Sequence, residues 1–456
     1  MGGGMLSAKK YISTVPFSGL FNWSVQYLND SKISFSKAYP MMRIGEFLKR
    51  NKTAVTIQDG VKYKRVTIKV RNGGVVLRDE VMGENIGTKK QFLVSEGQFI
   101  LSKIDARNGA MGIIPAKLEG AVVTQDFLPY DIDTTKVNPQ YFVLVCTTKQ
   151  FIAFCQSCSS GTTNRQRVDE AQFLNIKVPV PSLDEQNKLV KAYNDIMLFI
   201  KMEERKAIDI DVKATVSVRN ALGVAPYPGH VEKKLVHYID YGAIDSWSVP
   251  QILHAENSPF GKSKFACKKL SDLAFINPKT DLSMLSDTDN MSFIPMEDIS
   301  DDYGEWIGKR VGSKSNIKGY TKFQDGDIIW ARITPCMQNG KSTILTNLVN
   351  GKGYGSTEFH VIRIKSNDVL PLYIHTLLRH FDVLSDAKKY FTGSAGQQRV
   401  PTSYLENLLI PVPPLEVQKQ IADEYANGIE QAKQGYNKIA SYKQDLKKNF
   451  ETQIFE

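Results

Sequence analysis

The chain has 456 residues, of which 42% are hydrophobic and 23% are charged. This length allows two or three domains with their own cores, and the composition excludes wholesale disorder. The net charge of +10 favours an anionic partner, nucleic acid before a membrane surface. No apolar run approaches the roughly 18 residues of a membrane span, and the first residues lack a secretion-signal pattern. We therefore expect a cytoplasmic protein with no membrane partner.

A long unit occurs twice in the chain. Four segments of the first half return in the second half, and the last three return 232 positions later. The pairs are 96–104 (EGQFILSKI) with 325–333 (DGDIIWARI), 124–127 (TQDF) with 356–359 (STEF), 160–168 (SGTTNRQRV) with 392–400 (TGSAGQQRV), and 173–186 (FLNIKVPVPSLDEQ) with 405–418 (LENLLIPVPPLEVQ). Such a unit predicts two similar faces related by a pseudo-two-fold internal repeat.

Each copy has the pattern of a mixed α/β domain. Strands are predicted over 66–70 and 75–77, joined by a turn at 72–74, and buried strands over 98–104 and 327–333. Helical runs begin at Pro139 and Pro371 and end near residues 156 and 389. The Pro-rich segments 178–181 and 410–414 are predicted to be extended.

A long helix is predicted after each Pro-rich segment, over 184–221 and 415–450. The second has apolar positions at a 4-3 spacing with Lys443 as one interruption, and these positions are Tyr425, Ile429, Ala432, Tyr436, Ile439, Leu446 and Phe450. The first helix also fits a seam, which Glu203 interrupts, and its positions are Tyr193, Ile196, Ile200, Ala207, Ile210 and Ala214. Met197 and Val218 suit the neighbouring register. Packing of each helix on its own domain is the alternative; two such helices favour packing against each other as a spacer.

The fold class is therefore α+β, with two similar α/β domains and two long helices. We place the first domain at residues 1–182, the central helix at 183–222, the second domain at 223–413 and the C-terminal helix at 414–456.

Residue patterns for catalysis are incomplete. The Cys155–Cys158 pair has CxxC spacing but no second pair, so free thiols are favoured over a zinc site. The segment 339–343 resembles the end of a phosphate-binding loop, yet Pro335 stands where a glycine is required, which favours a hairpin turn. The six histidines are interpreted as solvated or structural. We expect no catalytic residue, metal or cofactor in this chain.

Cationic residues cluster before each glycine turn, and as a set they predict nucleic-acid binding, although any single lysine could be a solvated surface charge. Candidates in the first half are Lys62, Lys64, Arg65, Lys69, Arg71, Lys89, Lys90, Lys103, Arg107, Asn164, Arg165 and Arg167. Candidates in the second half are Lys309, Arg310, Lys314, Lys318, Arg332, Gln338, Lys341, Gln397 and Arg399.

The repeat sorts these candidates into two groups. The matched pairs, Lys103 with Arg332 and Arg167 with Arg399, are expected to serve the shared fold or the DNA backbone. The windows that differ, 51–92 and 277–322 with the turns 105–111 and 334–341, are expected to read different bases.

The matched motifs together resemble the specificity subunits of type I restriction–modification systems over residues 18–450. These motifs are the glycine turn with Ser/Ala-Lys/Arg-Ile, Ser/Thr-x-x-Phe, the loop ending in Arg-Val, and Ile-x-Val-Pro-x-Pro-x-Leu-x-x-Gln before a long helix. The resemblance implies two target recognition domains, each binding one half of a bipartite asymmetric DNA site, and two antiparallel helices that set the spacing.

The resemblance also implies partners. These are double-stranded DNA, two modification subunits that bind S-adenosylmethionine and methylate adenine, and restriction subunits that use ATP and Mg²⁺. The chain itself would be non-catalytic. Two alternatives stay open: a specificity subunit of a type IIB-like or other phage-defence methylase, and a helical scaffold that does not bind DNA.

Overall fold

A computed structural model describes residues 39–157, 159–160, 167–225, 238, 241, 258–394 and 396–455. The chain forms two compact units. The first unit contains residues up to 201 together with 440–456, and the second unit contains 202–439. Over the described ranges, no helix is both long and apolar enough to cross a membrane.

The strands of the first unit are short. They are β1 (Met41–Arg43), β2 (Leu48–Arg50), β3 (Ala54–Thr56), β4 (Lys62–Ile68), β5 (Val75–Met82), β6 (Lys90–Val94), β7 (Phe99–Ser102), β8 (Met111–Ile113), β9 (Ala121–Val123), β10 (Phe127–Ile132), β11 (Ser159–Ser160), β12 (Arg167–Val168) and β13 (Lys177–Pro179). Its helices are α1 (Pro139–Cys146), α2 (Lys149–Ser157) and α3 (Glu170–Asn175).

The second unit has a similar inventory. Its strands are β14 (Cys267–Lys269), β15 (Ala274–Ile276), β16 (Asn290–Ile294), β17 (Arg310–Ser313), β18 (Thr321–Gln324), β19 (Ile328–Ala331), β20 (Ser342–Ile344), β21 (Lys352–Gly355), β22 (Phe359–Ile364) and β23 (Leu409–Pro411). Its helices are α5 (Leu270–Leu273), α6 (Pro371–Arg379), α7 (Phe381–Ala387) and α8 (Thr402–Asn407). Two long helices, α4 (Leu183–Leu222) and α9 (Leu415–Phe455), each contribute to both units.

The two units share one framework of sheets. In the first unit β1 pairs with β13, and an antiparallel sheet has the order β2-β10-β7-β8. In the second unit β14 pairs with β23, and the corresponding sheet has the order β15-β22-β19-β20. The predicted α+β repeat of two similar domains with long helices is therefore confirmed.

A second sheet is also shared, although the sequences that form it differ. Its order is β3-β6-β9-β4-β5 in the first unit and β18-β21-β16-β17 in the second, and in each the inner pair, β4 with β9 or β16 with β21, is parallel. The windows 51–92 and 277–322 thus form corresponding strands. They differ most in one connection, which is residues 69–74 between β4 and β5 but 295–309 between β16 and β17.

The helical runs predicted from Pro139 and from Pro371 each consist of two helices. The expectation of one continuous helix in each run is therefore wrong. The run that ends near residue 156 divides at Thr147 and Thr148, whose hydroxyls donate back to carbonyl oxygens of α1. The Thr148 hydroxyl also accepts the N–H of Phe151. The later run divides at His380, whose Nδ1 accepts the N–H of Asp382. Side-chain caps end these helices without Pro or Gly, so the sequence pattern did not reveal the breaks.

The glutamine of the first Pro-x-Pro-x-Leu-x-x-Gln motif is a buried clamp. The Gln186 side chain donates from Nε2 to the carbonyl oxygens of Lys136 (3.0 Å) and Pro181 (2.8 Å). Its Oε1 accepts the N–H of Asn138 at 2.8 Å. The side chain therefore joins the first turn of α4 to the Pro-rich segment and to the start of α1.

The second motif repeats the same three bonds. Gln418 Nε2 donates to the carbonyl oxygens of Asp368 (2.6 Å) and Pro413 (2.8 Å), and its Oε1 accepts the N–H of Leu370 (3.0 Å). Both glutamines are 0% exposed. A buried polar side chain with all of these bonds made adds stability, whereas its loss would leave backbone groups unsatisfied.

A second matched interaction ties the loop ending in Arg-Val to the sheet. Arg399 forms a two-pronged ion pair with Glu358, with N···O distances of 2.7 and 2.9 Å, and Arg167 pairs with Asp126 at 3.2 Å. The acidic partners are the residues before phenylalanine in the matched Ser/Thr-x-x-Phe motifs. The matched arginines thus have a structural role in the shared fold.

Ring contacts within the first unit show the relative direction of the two long helices there. Tyr193 of α4 contacts Phe450 of α9 with ring centroids 5.9 Å apart, and Phe199 contacts Tyr442 at 5.4 Å. The contacts advance along α4 as they retreat along α9, so the two helices run antiparallel.

Glycines bring the helices close together within the second unit. A Cβ placed on Gly428 of α9 would lie 2.6 Å from the Cβ of Ala214, and one on Gly435 would lie 3.2 Å from that of Ala207. The two glycines are seven residues apart, as are the two alanines, which is the heptad repeat of a helix pair.

The seam of α9 is confirmed at five positions. These buried residues are Tyr425, Ala432, Ile439, Leu446 and Phe450. In α4 the expected Ile200 is buried, but the assignment of Ile196 to the seam is wrong because its side chain is 40% exposed. Met197, four residues after Tyr193, is half-buried in its place.

We predict that Gln418→Leu lowers the free energy of unfolding of the second unit by about 3 kcal/mol, because three backbone groups lose a buried partner. Denaturant unfolding followed by hydrogen exchange would measure the loss. The matched control is Gln420→Leu, since Gln420 is exposed on the same helix and, among the described residues, its side chain forms a hydrogen bond to Glu424 alone. Equal stability of the two variants would contradict the clamp.

We predict that Glu358→Gln lowers the free energy of unfolding by about 1 kcal/mol at neutral pH. Hydrogen bonding to Arg399 lowers the pKa of Glu358. This contribution is therefore present above the unfolded pKa of about 4.3 and is lost as the pH falls through the lower folded value. Unfolding measured from pH 7 to 3 should show the two proteins converging at acid pH. Asp126→Asn, in the more exposed counterpart pair, should cost less.

Candidate nucleic-acid interface

Two loops meet at one end of the first unit. The β4–β5 turn (69–74) lies against the β7–β8 loop (103–110), and the N–H of Arg71 donates to the carbonyl oxygen of Asn108 at 2.6 Å. We call these two segments the first loop cluster. It brings together four predicted contact residues, which are Lys69, Arg71, Lys103 and Arg107.

The backbone of this turn is held in an uncommon conformation. Arg71 and Asn72 both have positive φ, 56° and 58°, which costs non-glycine residues about 1 kcal/mol each. The N–H of Asn72 donates to the carbonyl oxygen of Gly109 (3.1 Å), and a Cβ on Gly109 would lie 2.8 Å from Asn72 Oδ1. The close packing of the two loops fixes where Arg71 projects.

Ion pairing separates the cations of the first unit into two groups. Engaged side chains are Lys62 with Glu80 (2.8 Å), Lys64 with the Lys117 carbonyl oxygen (3.1 Å), Arg65 with Asp79 (2.7 Å), Lys89 with Asp59 (2.7 Å) and Arg167 with Asp126 (3.2 Å). Within the described ranges, no ion pair is formed by Lys69, Arg71, Lys90 or Lys103. The unneutralised cations of the first loop cluster are thus the ones available to an anionic partner.

The second unit shows the same division. Engaged side chains are Arg310 with Glu297 (2.5 Å), Lys314 with Asp287 (3.5 Å), Arg332 with Glu358 (3.7 Å), Lys341 with the Met296 carbonyl oxygen (3.2 Å) and Arg399 with Glu358 (2.7 Å). Lys309 and Lys318 are exposed and form no ion pair with any described residue. Gln338 is half-buried and Gln397 is exposed, both on loops.

A second loop cluster corresponds to the first. It consists of the β16–β17 connection (295–309) and the β19–β20 loop (332–341), which are joined by Lys341 and share an apolar core at Met296, Trp306 and Cys336. Antiparallel pairing of β19 with β20 confirms the hairpin predicted around 339–343. Asn164 and Arg165, predicted to contact DNA, lie outside the described residues, as does Cys158.

Sequence reasoning missed several residues that organise these clusters. Asp126 and Glu358 could have been found, because they stand at matched places in the repeat. The turn that begins at Asn72 was predicted, and its Asn-Gly-Gly sequence is also a signal for positive φ. Arg379 and Lys433 gave no signal in the sequence. Each contacts the β16–β17 connection (295–309), which is far from both residues in the chain.

The buried histidines form structural contacts. His360 contacts the carbonyl oxygen of Val400 at 2.9 Å, and burial lowers its pKa to about 4. His375 lies 3.1 Å from the Ser342 hydroxyl, and burial lowers its pKa to about 3. Both rings are neutral at pH 7. Among the residues that the structure describes, no three His, Cys, Asp or Glu side chains group so as to hold a metal ion.

Comparison with known proteins agrees with this architecture. The profile of the type I restriction modification DNA specificity domain matches residues 37–211 and 262–431. The EcoEI specificity subunit of Escherichia coli is 40% identical over 158 residues, 34% of this chain, and the EcoAI specificity subunit of the same organism is 41% identical over 153 residues, 33% of this chain. Each match spans 26% of the relative's length.

One solved structure, from a study of complex assembly and conformational transition of the type I R-M system, matches with a TM-score of 0.53 at 15% identity. The match covers 92% of this chain and 97% of that chain, which supports the fold. Because the family profile covers most of both halves, the chain belongs to the family of type I restriction–modification specificity subunits.

Proposed function

We propose that this chain recognises DNA for a type I restriction–modification complex, and that each unit binds one half of a bipartite, asymmetric site. The observation that carries the proposal is a shared framework with different loop clusters. The sheets, the glutamine clamps and the arginine–carboxylate pairs occur in both units. The loops that meet at the clusters differ in length and residues, as recognition of two different half-sites requires.

The predicted contact residues fit this role to different degrees. Cations that bind phosphate supply affinity, and arginine on the edge of guanine supplies specificity. Lys69 and Arg71 in the first loop cluster and Lys309 in the second unit support the proposal most directly, since no carboxylate among the described residues neutralises them. The arginines paired with Asp126 and Glu358 support it least.

We propose that the helices set the spacing between half-sites. Helices of 40 and 41 residues are each about 60 Å long, more than the ~34 Å between half-sites one DNA turn apart. The close antiparallel pairing at Gly428 and Gly435 supports a stiff spacer.

We also propose that α4 binds two modification subunits. This helix exposes large apolar side chains, which in the first unit are Ile196, Leu198 and Phe199 and in the second unit are Met202, Ile208, Val212 and Val216. Exposed apolar patches of this kind are typical of protein interfaces. Restriction subunits would join that core, and S-adenosylmethionine, Mg²⁺ and ATP would bind to the partners. The chain itself would be non-catalytic and cytoplasmic.

The decisive test is to express this chain with the adenine methyltransferase subunit of its own system and to map N6-methyladenine by single-molecule sequencing. We expect one motif with two defined parts separated by a fixed gap. Replacing residues 277–322 with those of a relative should change one part only. A continuous motif, no motif, or a change in both parts would count against the proposal. The scaffold alternative predicts no DNA binding that weakens steeply with salt.

Arg71 and Lys62 provide a matched comparison. We predict that Arg71→Ala weakens binding of the methyltransferase complex to its DNA site about tenfold, through loss of one phosphate or base contact. Lys62→Ala should change the dissociation constant less than about twofold, because Glu80 already neutralises Lys62. Fluorescence anisotropy with labelled duplex at one fixed salt concentration would measure both. Equal effects would exclude a special role for the first loop cluster.

A further inference from the structure

Arg379 lies where the two segments of the second loop cluster meet. It is the last residue of α6, and its Nη1 donates to the carbonyl oxygen of Gly340 at 2.5 Å. Its Nη2 donates to the carbonyl oxygens of Asp302 (2.9 Å) and Asp301 (3.4 Å). One guanidinium group therefore joins the β19–β20 loop to the β16–β17 connection.

The connection is shaped to receive this side chain. Gly304 has a φ of +68°, and a Cβ on it would lie 2.6 to 2.8 Å from Arg379. The N–H of Ser300 donates to the carbonyl oxygen of Glu305 at 2.8 Å and closes the segment into a tight loop. A side chain at this position would strain the backbone and would displace the Arg379 guanidinium.

The same loop is fastened to the C-terminal helix. Lys433 of α9 forms an ion pair with the Glu305 carboxylate at 2.7 and 2.8 Å. Its ammonium group also lies 5.1 Å from the centre of the Tyr303 ring. The loop is thus held from two sides, by α6 and by α9, and both contacts lie within the second unit.

Arg379 also faces the two long helices. Burial raises the pKa of Asp211 on α4 and of Tyr425 on α9, and the charge of Arg379 opposes the shift in each case. Arg379 is therefore near enough to Asp211 and Tyr425 for its charge to act on both. A cavity of about 410 Å³ next to the β16–β17 connection is lined in part by Asp211, Asp302 and Tyr303.

The first unit has no arginine at the position that corresponds to Arg379. Thr147 occupies the position 232 residues before Arg379, and its hydroxyl donates to the carbonyl oxygen of Leu144 in its own helix. The short β4–β5 turn reaches the neighbouring loop directly through backbone hydrogen bonds. The longer connection of the second unit requires a side chain to hold it.

We infer that Arg379 is a positioning residue for sequence recognition by the second unit. It holds residues 300–306 and 335–341 in the arrangement that reads one half-site, while Lys433 fastens the same connection to α9. This inference rests on the proposed function. Arg379 is not proposed to contact DNA, since its Nη1 and Nη2 already donate to carbonyl oxygens of the two loops.

The test is Arg379→Met in the complex of this chain with its methyltransferase subunit, with N6-methyladenine mapped as above. We expect one half of the motif to relax, so that methylation at sites with one substituted base in that half rises about tenfold relative to the wild-type complex. The other half should keep its specificity. The relaxed half should be the half that changes when residues 277–322 are replaced.

Two controls isolate the cause. Lys388→Met removes the same charge from an exposed side chain and should leave the motif unchanged. Lys388 is the first residue after α7. Gly304→Ala keeps the guanidinium but displaces it, and should relax the same half. Gly326→Ala carries a similar backbone penalty, at a φ of +86° with nothing within 4 Å and outside window 277–322, and should not.

Each outcome has a definite meaning. An unchanged motif in Arg379→Met, equal relaxation of both halves, or weaker methylation without relaxation would overturn the inference. If Arg379→Met does not fold, Gly304→Ala decides. A wild-type complex that yields no bipartite motif would instead refute the proposed function itself.

Discussion

The interaction on which this structure depends is the buried glutamine at the start of each long helix. Its amide satisfies two carbonyl groups and one N–H from two separate stretches of chain, in a place where water cannot do so. The Pro-rich strand, the first short helix after the sheets and the long helix are thereby joined at one point. Because Gln186 and Gln418 make identical sets of bonds, each long helix begins in the same way on its own unit.

On this common scaffold the two units hold their loops differently. The first unit fixes a short turn by backbone hydrogen bonds and accepts two left-handed residues, Arg71 and Asn72, as the cost. The second unit has a longer connection and fastens it with the charged side chains Arg379 and Lys433. The loops can therefore differ in sequence while the sheets beneath them keep one topology.

Charge has two roles in this chain. Many of the cations that give the sequence its basic character are neutralised by carboxylates from distant positions, as in Arg65 with Asp79 and Arg399 with Glu358. Those pairs stabilise strands and loops. Some of the predicted contact residues, such as Arg71, lie on loops and form no ion pair with a described residue, so that affinity for a phosphate backbone would not compete with an internal partner.

The sequence by itself determined the repeat, the α+β class, the long helices and the seam of α9, because these follow from local periodicity and from motifs of fixed spacing. It did not reveal that windows 51–92 and 277–322 form sheets of corresponding topology, one in each unit. A strand tolerates many sequences when its neighbours supply the packing. The sequence wrongly placed Ile196 rather than Met197 in the seam of α4. Packing against the partner helix decides which of two adjacent residues faces the seam. Only the tertiary structure decided which cations are neutralised and that Arg379 holds two loops, because ion pairs and anchors join residues far apart in the chain.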